Sequence, residues 1–179
     1  TYRSRMPPSI VLVTGAAGFV GKHVISFLIE NCLKLHSDEE DIVGTYLKYD
    51  KIIALDVCPP EAIAKSYNFC QHIAPLQLDL TKLVSAESAE FRTLSSILKD
   101  DNGGGGQVVS IIHIAGLVDT RESRSVQCRL HLVNVGATSA LLDLASASAD
   151  TTMGPRRFVY LSSSTAGMVA DDTCHASRA

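Results

Sequence analysis

Three glycines near the N-terminus could cradle a phosphate group. Gly15, Gly18 and Gly21 follow the apolar stretch Ile10–Val13 with the spacing G-x-x-G-x-x-G. Where a strand, a glycine turn and a helix come in this order, the helix N-terminus attracts anionic ligands. Gly15 would permit the turn, Gly18 would let a pyrophosphate approach the backbone, and Gly21 would let the helix lie close to the strand. A tight turn that binds nothing would use the same glycines.

A carboxylate near the end of the second predicted strand could bind a ribose. Asp56 lies in the stretch Lys51–Val57, which reads K-I-I-A-L-D-V. A carboxylate in this place accepts hydrogen bonds from adenosine ribose hydroxyls and repels a 2′-phosphate, so it favours NAD over NADP. Its distance from the glycines exceeds the usual spacing of about 20 residues, and the acidic segment 36–50 is predicted to be a surface insertion. A turn aspartate before Pro59 and Pro60 is the alternative.

A cluster of hydroxyls follows the last apolar stretch. Ser162, Ser163 and Ser164 come directly after F-V-Y-L at 158–161, which is predicted to be a strand. Open α/β sheets bind ligands outside the carboxyl ends of their strands. A serine there could hydrogen-bond a substrate carbonyl or hydroxyl, and the same residues also suit a simple turn.

The elements that would position these groups alternate along the chain. Helical periodicity predicts helices at about 19–35, 61–72, 85–99 and 122–149. Short apolar stretches predict strands at 10–13, 51–57, 73–80, 108–114 and 158–161. This alternation predicts an α/β fold with a doubly wound, mostly parallel sheet, strand order 3-2-1-4-5, and helices on both faces.

Two polar residues inside these elements need an explanation. His113 lies in the fourth predicted strand and is interpreted as a core histidine in preference to a catalytic one. Asn134 interrupts an apolar helical stretch, and a buried asparagine must be hydrogen-bonded. It either ties down a neighbouring loop or is an ordinary polar residue of a helix. The glycine-rich segment 100–106 is predicted to be a flexible loop, because it precedes a strand.

Composition limits the classes of protein. The chain has 179 residues, of which 46% are hydrophobic and 20% charged, and we expect one domain over 1–179. A net charge of −3 disfavours a nucleic-acid-binding surface. No apolar run approaches the roughly 18 residues needed to cross a bilayer. The five cysteines form no C-x-x-C pair and no cluster with histidine, which favours reduced thiols in a cytoplasmic protein without a metal site.

The motifs, taken in order, resemble those of the extended short-chain dehydrogenases. The matching segments are T-G-A-A-G-F-V-G at 14–21, Asp56, Asp79-Leu80, H-I-A-G at 113–116, V-N-V-G-A-T at 133–138 and Y-L-S-S-S at 160–164. This family includes nucleotide-sugar epimerases and dehydratases and the 3β-hydroxysteroid dehydrogenase/isomerases. The resemblance spans Ile10 to about Gly167 and implies a Rossmann-type NAD-binding domain.

The resemblance also implies roles for individual residues, which group by the part of NAD they would meet. The pyrophosphate would be surrounded by Gly15, Gly18, Phe19, Val20 and Gly21. Asp56 would hold the adenosine ribose, and Asp79 and Leu80 would flank the adenine. The nicotinamide half would be lined by Ala115, Gly116 and Leu117, with Asn134 bracing that loop. Ser163, three residues after Tyr160, matches the family's catalytic serine, and Ser164 is the alternative.

One family feature is missing from the sequence. The family's chemistry uses a Tyr-x-x-x-Lys pair, in which the tyrosine transfers the proton and the lysine lowers its pKa. The tyrosines stand at 2, 46, 49, 67 and 160, and none has a lysine four residues later. We therefore expect the N-terminal, cofactor-binding portion of a longer dehydrogenase, which by itself binds NAD without catalysis.

Several functions are compatible with this expectation. The segments V-D-T-R at 118–121 and R-F-V-Y-L-S-S at 157–163 favour a 3β-hydroxysteroid dehydrogenase-like enzyme, with a nucleotide-sugar epimerase or dehydratase as the alternative. The substrate would be a small molecule, sterol-like or a nucleotide sugar, and the full-length protein would form a homodimer. A module that binds NAD(P) as a sensor or partner-binding protein, without catalysis, is the alternative from another class.

Overall fold

A computed structural model describes residues 7–33, 48–99, 106–121, 123–149 and 154–162. Five strands in these ranges form one sheet in the order β3-β2-β1-β4-β5. Their bounds are β1 (Ser9–Thr14), β2 (Lys51–Asp56), β3 (Ile73–Gln77), β4 (Gln107–His113) and β5 (Arg157–Tyr160). Every neighbouring pair is parallel, which confirms the predicted order and sharpens the predicted "mostly parallel" sheet.

The central strand β1 is buried on both faces. Ile10 and Leu12 belong to one hydrophobic cluster, whereas Val11 and Val13 belong to a second cluster on the opposite face. Successive side chains of a strand point to opposite faces. A continuous apolar run is therefore what a strand between two helical layers requires.

Helices cover both faces of the sheet, as predicted. One face carries α1 (Phe19–Asn31) and α2 (Pro60–Ser66). The other face carries a 3₁₀ helix (Leu80–Val84), α3 (Ala89–Lys99) and α5 (Ala137–Ala149). The strand order reverses between β1 and β4, and such a reversal opens a crevice at the carboxyl ends of the strands.

The last helix is continuous through a wider turn. It begins with α4 (Arg124–His131), passes through a π-helical turn (Leu132–Gly136), and continues as α5. By length and composition alone this 26-residue helix could cross a membrane, because an 18-residue window within it has a mean hydropathy of 1.2. Its α5 part places Leu141 and Leu144 in the core against the sheet.

Two helices end earlier than the sequence predicts. Helix α1 stops at Asn31 instead of residue 35, because Cys32 leaves the helical conformation and Leu33 forms a β-bridge with Tyr49. Helix α2 stops at Ser66 instead of residue 72. Past its end, residues 68 and 69 adopt φ angles of 51° and 52°, which no α-helix contains.

Side-chain caps set two other boundaries. Strand β3 ends at Gln77 instead of Leu80, because Asp79 caps the 3₁₀ helix. Helix α3 begins at Ala89, four residues later than predicted, and the Ser88 hydroxyl accepts a 3.0 Å hydrogen bond from the Phe91 amide. Most of the predicted insertion (residues 36–47) and of the predicted glycine loop (residues 100–105) lies outside the described residues.

Candidate functional site

A cavity of about 750 Å³ opens where the carboxyl ends of the strands meet. It is bounded by the glycine turn, the ends of β2 and β3, the loop after β4, and the turn between α4 and α5. Every predicted cofactor contact except Asn134 lines it: Gly15, Gly18, Phe19, Val20, Gly21, Asp56, Asp79, Leu80, Ala115, Gly116 and Leu117. The structure thus brings together residues as far apart in the chain as Gly15 and Leu117.

Two of the glycines are required by the backbone itself. Gly15 has a φ of +69°, in the left-handed region that favours glycine. A Cβ on Gly21 would lie 2.0 Å from the Gly15 carbonyl oxygen, so helix α1 approaches the turn more closely than any other residue would permit. Gly18 differs, because a Cβ added there would meet only the Gly15 carbonyl oxygen, at 3.2 Å. Gly18 also borders the cavity.

Asp56 holds the glycine turn. Its Oδ2 accepts a 2.9 Å hydrogen bond from the Ala17 amide, and its Oδ1 accepts a 3.2 Å bond from the Cys58 amide. Each carboxylate oxygen has a second lone pair. The side chain can therefore brace the turn and still accept a hydrogen bond from a ligand in the cavity. The sequence identified this acid but not its bond to Ala17.

The residues after β3 provide an apolar patch and a fixed carboxylate. The Asp79 Oδ1 accepts hydrogen bonds from the Thr81 amide at 3.0 Å and from the Thr81 hydroxyl at 2.7 Å. Leu78 and Leu80 are buried and reach the cavity from the same segment. An aromatic ring bound here would meet aliphatic side chains on one side.

Asn134 ties down the loop after β4, which is the first of the two predicted alternatives. Its Oδ1 accepts a 2.7 Å bond from the Leu117 amide, and its Nδ2 donates a 2.8 Å bond to the Leu117 carbonyl. The π-helical turn that carries Asn134 was not predicted. Such single turns often occur at functional sites.

His113 is a core histidine, as predicted, and it links three elements. The Thr14 Oγ1 accepts 3.2 Å bonds from the Ile114 and Ala115 amides, which leaves its proton for the His113 Nδ1 at 2.6 Å. The His113 Nε2–H then donates to the Thr138 hydroxyl at 2.9 Å. Because burial disfavours the charged imidazolium, the pKa of His113 falls to about 4. The histidine is neutral at pH 7.

The described cavity lining offers few groups for proton transfer. Its titratable side chains are Asp56, Cys58, Asp79 and Arg129, with no histidine, tyrosine or lysine among them. Arg129 was not predicted, because a lone arginine on a helix has no sequence signal that marks it. In the described ranges, no three histidine, cysteine or acidic residues are grouped to hold a metal ion.

The predicted catalytic serine lies outside the described residues, as does its alternative Ser164. Ser162 is described and exposed, just beyond the end of β5. The preceding Tyr160 stacks on His113 with ring centroids 5.5 Å apart. The end of β5, which precedes the serines, therefore lies beside the histidine network.

The fold and the cavity together define a Rossmann-type α/β domain with a ligand crevice at its topological switch point. No family model matches the sequence. Solved structures that share the fold include short-chain dehydrogenases/reductases and nucleotide-sugar epimerases, the group that the sequence motifs resemble.

Three of these structures give the extent of the likeness. A short chain dehydrogenase/reductase from Saccharomyces cerevisiae has a TM-score of 0.61 at 16% identity, covering 89% of this chain and 55% of its own. The UDP-glucose-4-epimerase of Stenotrophomonas maltophila, solved with NAD and formylated UDP-arabinopyranose, has a TM-score of 0.58 at 16% identity, with coverages of 90% and 38%. The UDP-glucuronic acid 4-epimerase of Bacillus cereus, in complex with NAD, has a TM-score of 0.56 at 19% identity, with coverages of 87% and 40%.

These values establish a shared fold. The chain spans between 38% and 55% of the length of the three structures. Their activities are therefore properties of longer proteins.

Proposed function

We propose that this chain is the NAD-binding portion of an oxidoreductase or epimerase of the extended short-chain dehydrogenase type. The observation that carries the proposal is the convergence of the glycine turn, the first turn of α1 and Asp56 on one cavity at the switch point of the sheet. The first amides of a helix have no partner four residues earlier, so they are donors for an anionic ligand.

In this proposal, different parts of the cavity bind different parts of a dinucleotide. The pyrophosphate would meet Gly18 and the start of α1, and the adenosine ribose would meet Asp56. The adenine would lie against Leu80 beside Asp79, and the nicotinamide half would extend toward the segment 115–117. Bound NAD supplies the hydride acceptor, while the chain's own residues bind and orient it.

The preference for NAD over NADP rests on Asp56. Its carboxylate is fixed by two backbone amides, so it cannot swing away from a ligand. A 2′-phosphate placed beside it would meet a like charge. A ribose 2′-hydroxyl would instead donate a hydrogen bond to it.

For the substrate, we propose a carbinol of a 3β-hydroxysteroid-like molecule, with Ser163 orienting the substrate oxygen. The motif V-D-T-R at 118–121 supports this choice. A nucleotide sugar is the second candidate, supported by the epimerases that share the fold. We further propose a cytoplasmic protein that forms a homodimer at full length.

A second candidate function is a binding module without catalysis. The observation that favours it is the absence of any Tyr-x-x-x-Lys pair in the 179 residues. Such a module would bind NAD and leave 3β-hydroxysteroids and UDP-sugars unchanged. Turnover of a 3β-hydroxysteroid, followed by NADH absorbance, or of a UDP-sugar, followed by chromatographic separation of the epimers, would exclude the module.

The test of cofactor binding is calorimetry with NAD and NADP. We expect saturable NAD binding, and its loss in Gly18→Val, because the added side chain borders the cavity. Gly136→Ala is the matched control, since its Cβ would meet nothing closer than 3.6 Å and Gly136 is not part of the cavity lining.

Asp56→Ala tests the cofactor preference. It should weaken NAD binding by about tenfold or more, because it removes a charged hydrogen-bond acceptor, and it should weaken NADP binding less. A folded wild-type chain that binds neither dinucleotide would overturn the proposed function.

A further inference from the structure

The glycine turn accepts a hydrogen bond from a buried residue that is not part of the cavity lining. Tyr67 caps the C-terminus of α2 and is buried in the cluster that also contains Ala16 and Ile25. Its phenol O–H donates a hydrogen bond to the Ala16 carbonyl oxygen, 51 positions earlier in the chain. Ala16 lies inside the glycine turn, so this side chain links the C-terminus of α2 to the turn.

Tyr67 and Asp56 are hydrogen-bonded to opposite ends of the same peptide group. The carbonyl of this group belongs to Ala16 and accepts from Tyr67, whereas its N–H belongs to Ala17 and donates to Asp56. A peptide group is planar, so fixing both ends fixes the orientation of the plane. The preceding peptide group is fixed too, because the Ala16 amide donates to the Leu55 carbonyl at 3.2 Å and the Gly15 carbonyl accepts from Gly18 at 3.1 Å.

The orientation of these two planes decides how α1 begins. The turn leads directly into Gly18, the residue before the first turn of the helix, whose carbonyl accepts the first helical bond from Lys22 at 3.0 Å. A rotation of the 16–17 plane would turn a carbonyl toward the Asp56 carboxylate and displace the start of α1. The direction of the first helical amides therefore depends on the hydrogen bond from Tyr67.

Tyr67 remains a donor across the physiological range. Burial, together with the neighbouring Asp56 carboxylate, raises the pKa of Tyr67 to about 12. The phenol therefore keeps its proton throughout the physiological pH range in which a dinucleotide would bind.

We propose that Tyr67 is a positioning residue for pyrophosphate binding, which it serves by fixing the Ala16–Ala17 peptide group beneath the glycine turn. This inference rests on the proposed function and extends it, because Tyr67 does not line the cavity. It predicts that the residue matters for ligands that carry a diphosphate and not for the nucleoside alone.

The test compares Tyr67→Phe with Tyr49→Phe. The two tyrosines are matched: they are 6% and 5% exposed, they lie in the same core cluster, and each donates one hydrogen bond. The Tyr49 hydroxyl donates to the Ser110 hydroxyl at 3.1 Å, away from the turn. The melting temperature should fall by a similar amount in both variants, because each loses one buried hydrogen bond.

Ligand affinity separates a positioning role from a structural one. In NMR titrations with NAD, ADP and adenosine, Tyr67→Phe should bind NAD and ADP about tenfold more weakly and adenosine as the wild type does. Tyr49→Phe should bind all three normally. Replacement of Tyr67 by 4-aminophenylalanine, which retains a donor, should restore ADP binding.

The outcomes are distinguishable. A wild-type chain that fails to bind NAD would overturn the proposed function and this inference with it. If the wild type binds NAD, an ADP affinity that is unchanged in Tyr67→Phe would overturn this inference alone. An equal loss of affinity for ADP and for adenosine in that variant would do the same.

A measurement on the wild type covers the case in which Tyr67→Phe does not fold. ADP, but not adenosine, should slow hydrogen exchange at the Ala17 amide, because the diphosphate would hold the peptide group in place. Equal exchange with both ligands would contradict the inference.

Discussion

The glycine turn and the loop after β4 both border the cavity, but they are held in different ways. In the turn, both peptide groups from Gly15 to Ala17 are bonded at their N–H and their C=O. The loop is bonded at its base by Thr14 and at Leu117 by Asn134. Beyond that point Val118 is 89% exposed.

This difference separates a fixed surface from an adjustable one. A turn whose peptide groups are bonded in this way holds the start of α1 in place, so the first helical amides can meet a ligand without reorganising, which lowers the cost of binding. A loop held at two points can change beyond them without disturbing the sheet. In a protein that pairs one cofactor with a variable substrate, the fixed side suits the cofactor and the looser side suits the substrate.

The largest expected effect comes from breaking the close approach at the turn. Gly21→Ala would place a Cβ 2.0 Å from the Gly15 carbonyl oxygen, so the helix or the turn must move. Overpacking of this kind costs about 3 kcal/mol, and thermal unfolding followed by circular dichroism should record it. Gly136→Ala is the control, and equal melting temperatures in the two variants would contradict the fixed turn.

The second largest effect, a loss of about 2 kcal/mol in the free energy of unfolding at low pH, is expected at the base of the loop after β4. The pKa of His113 is about 4 in the folded chain and 6.5 in the unfolded one. A depressed pKa contributes stability that is present above pH 6.5 and is lost as the pH falls toward 4. Urea unfolding at pH 7 and pH 4.5 should reveal this loss in the wild type.

Two variants isolate the histidine from other acid-sensitive groups. His113→Gln should flatten the decline in stability between pH 7 and 4.5, because the titrating group is gone. His23→Gln, at an exposed position on α1, should leave the decline unchanged. Identical pH profiles in the two variants would rule out His113 as the cause.

A smaller effect is expected from the second attachment of the loop. Asn134→Ala would leave the Leu117 amide and carbonyl without their bonds, at a cost of about 1–2 kcal/mol. Hydrogen exchange should speed up at Leu117 and stay unchanged at Ala17, which belongs to the glycine turn. Asn31→Ala is the control, because its side-chain amide donates to the Phe27 carbonyl within α1. Faster exchange on both sides would mean that the two regions are coupled.

The smallest effect should occur at the outer part of the loop. Arg121 and Asp119 form an exposed ion pair at 2.6 Å, and hydrogen bonds from Arg121 lower the pKa of Asp119. Water and salt screen such pairs. Arg121→Ala should leave the melting temperature unchanged in low and high salt, and a clear loss would indicate that the outer loop is held more firmly than these contacts suggest.

The sequence predicted which residues border the cavity better than it predicted the ends of the elements. Glycine spacing, the acid after the second strand and a lone asparagine in an apolar helix each have a physical reason that can be read locally. Helix ends such as Asn31 and Ser66 could not be predicted, because they depend on a distant bridge and on the left-handed residues 68 and 69. Tyr67 and Thr14 gave no signal, since their partners lie 51 and 99 positions away.

What the sequence determined by itself is the alternation of strands and helices and the glycine turn, because apolar periodicity and missing side chains act over a few residues. Only the tertiary structure decided which side chains hold that turn. Hydrogen bonds form between groups that the sheet brings together, and the parallel order of β3, β2, β1 and β4 brings Asp56 and Tyr67 to the glycine turn. Their spacing along the chain carries no trace of that arrangement.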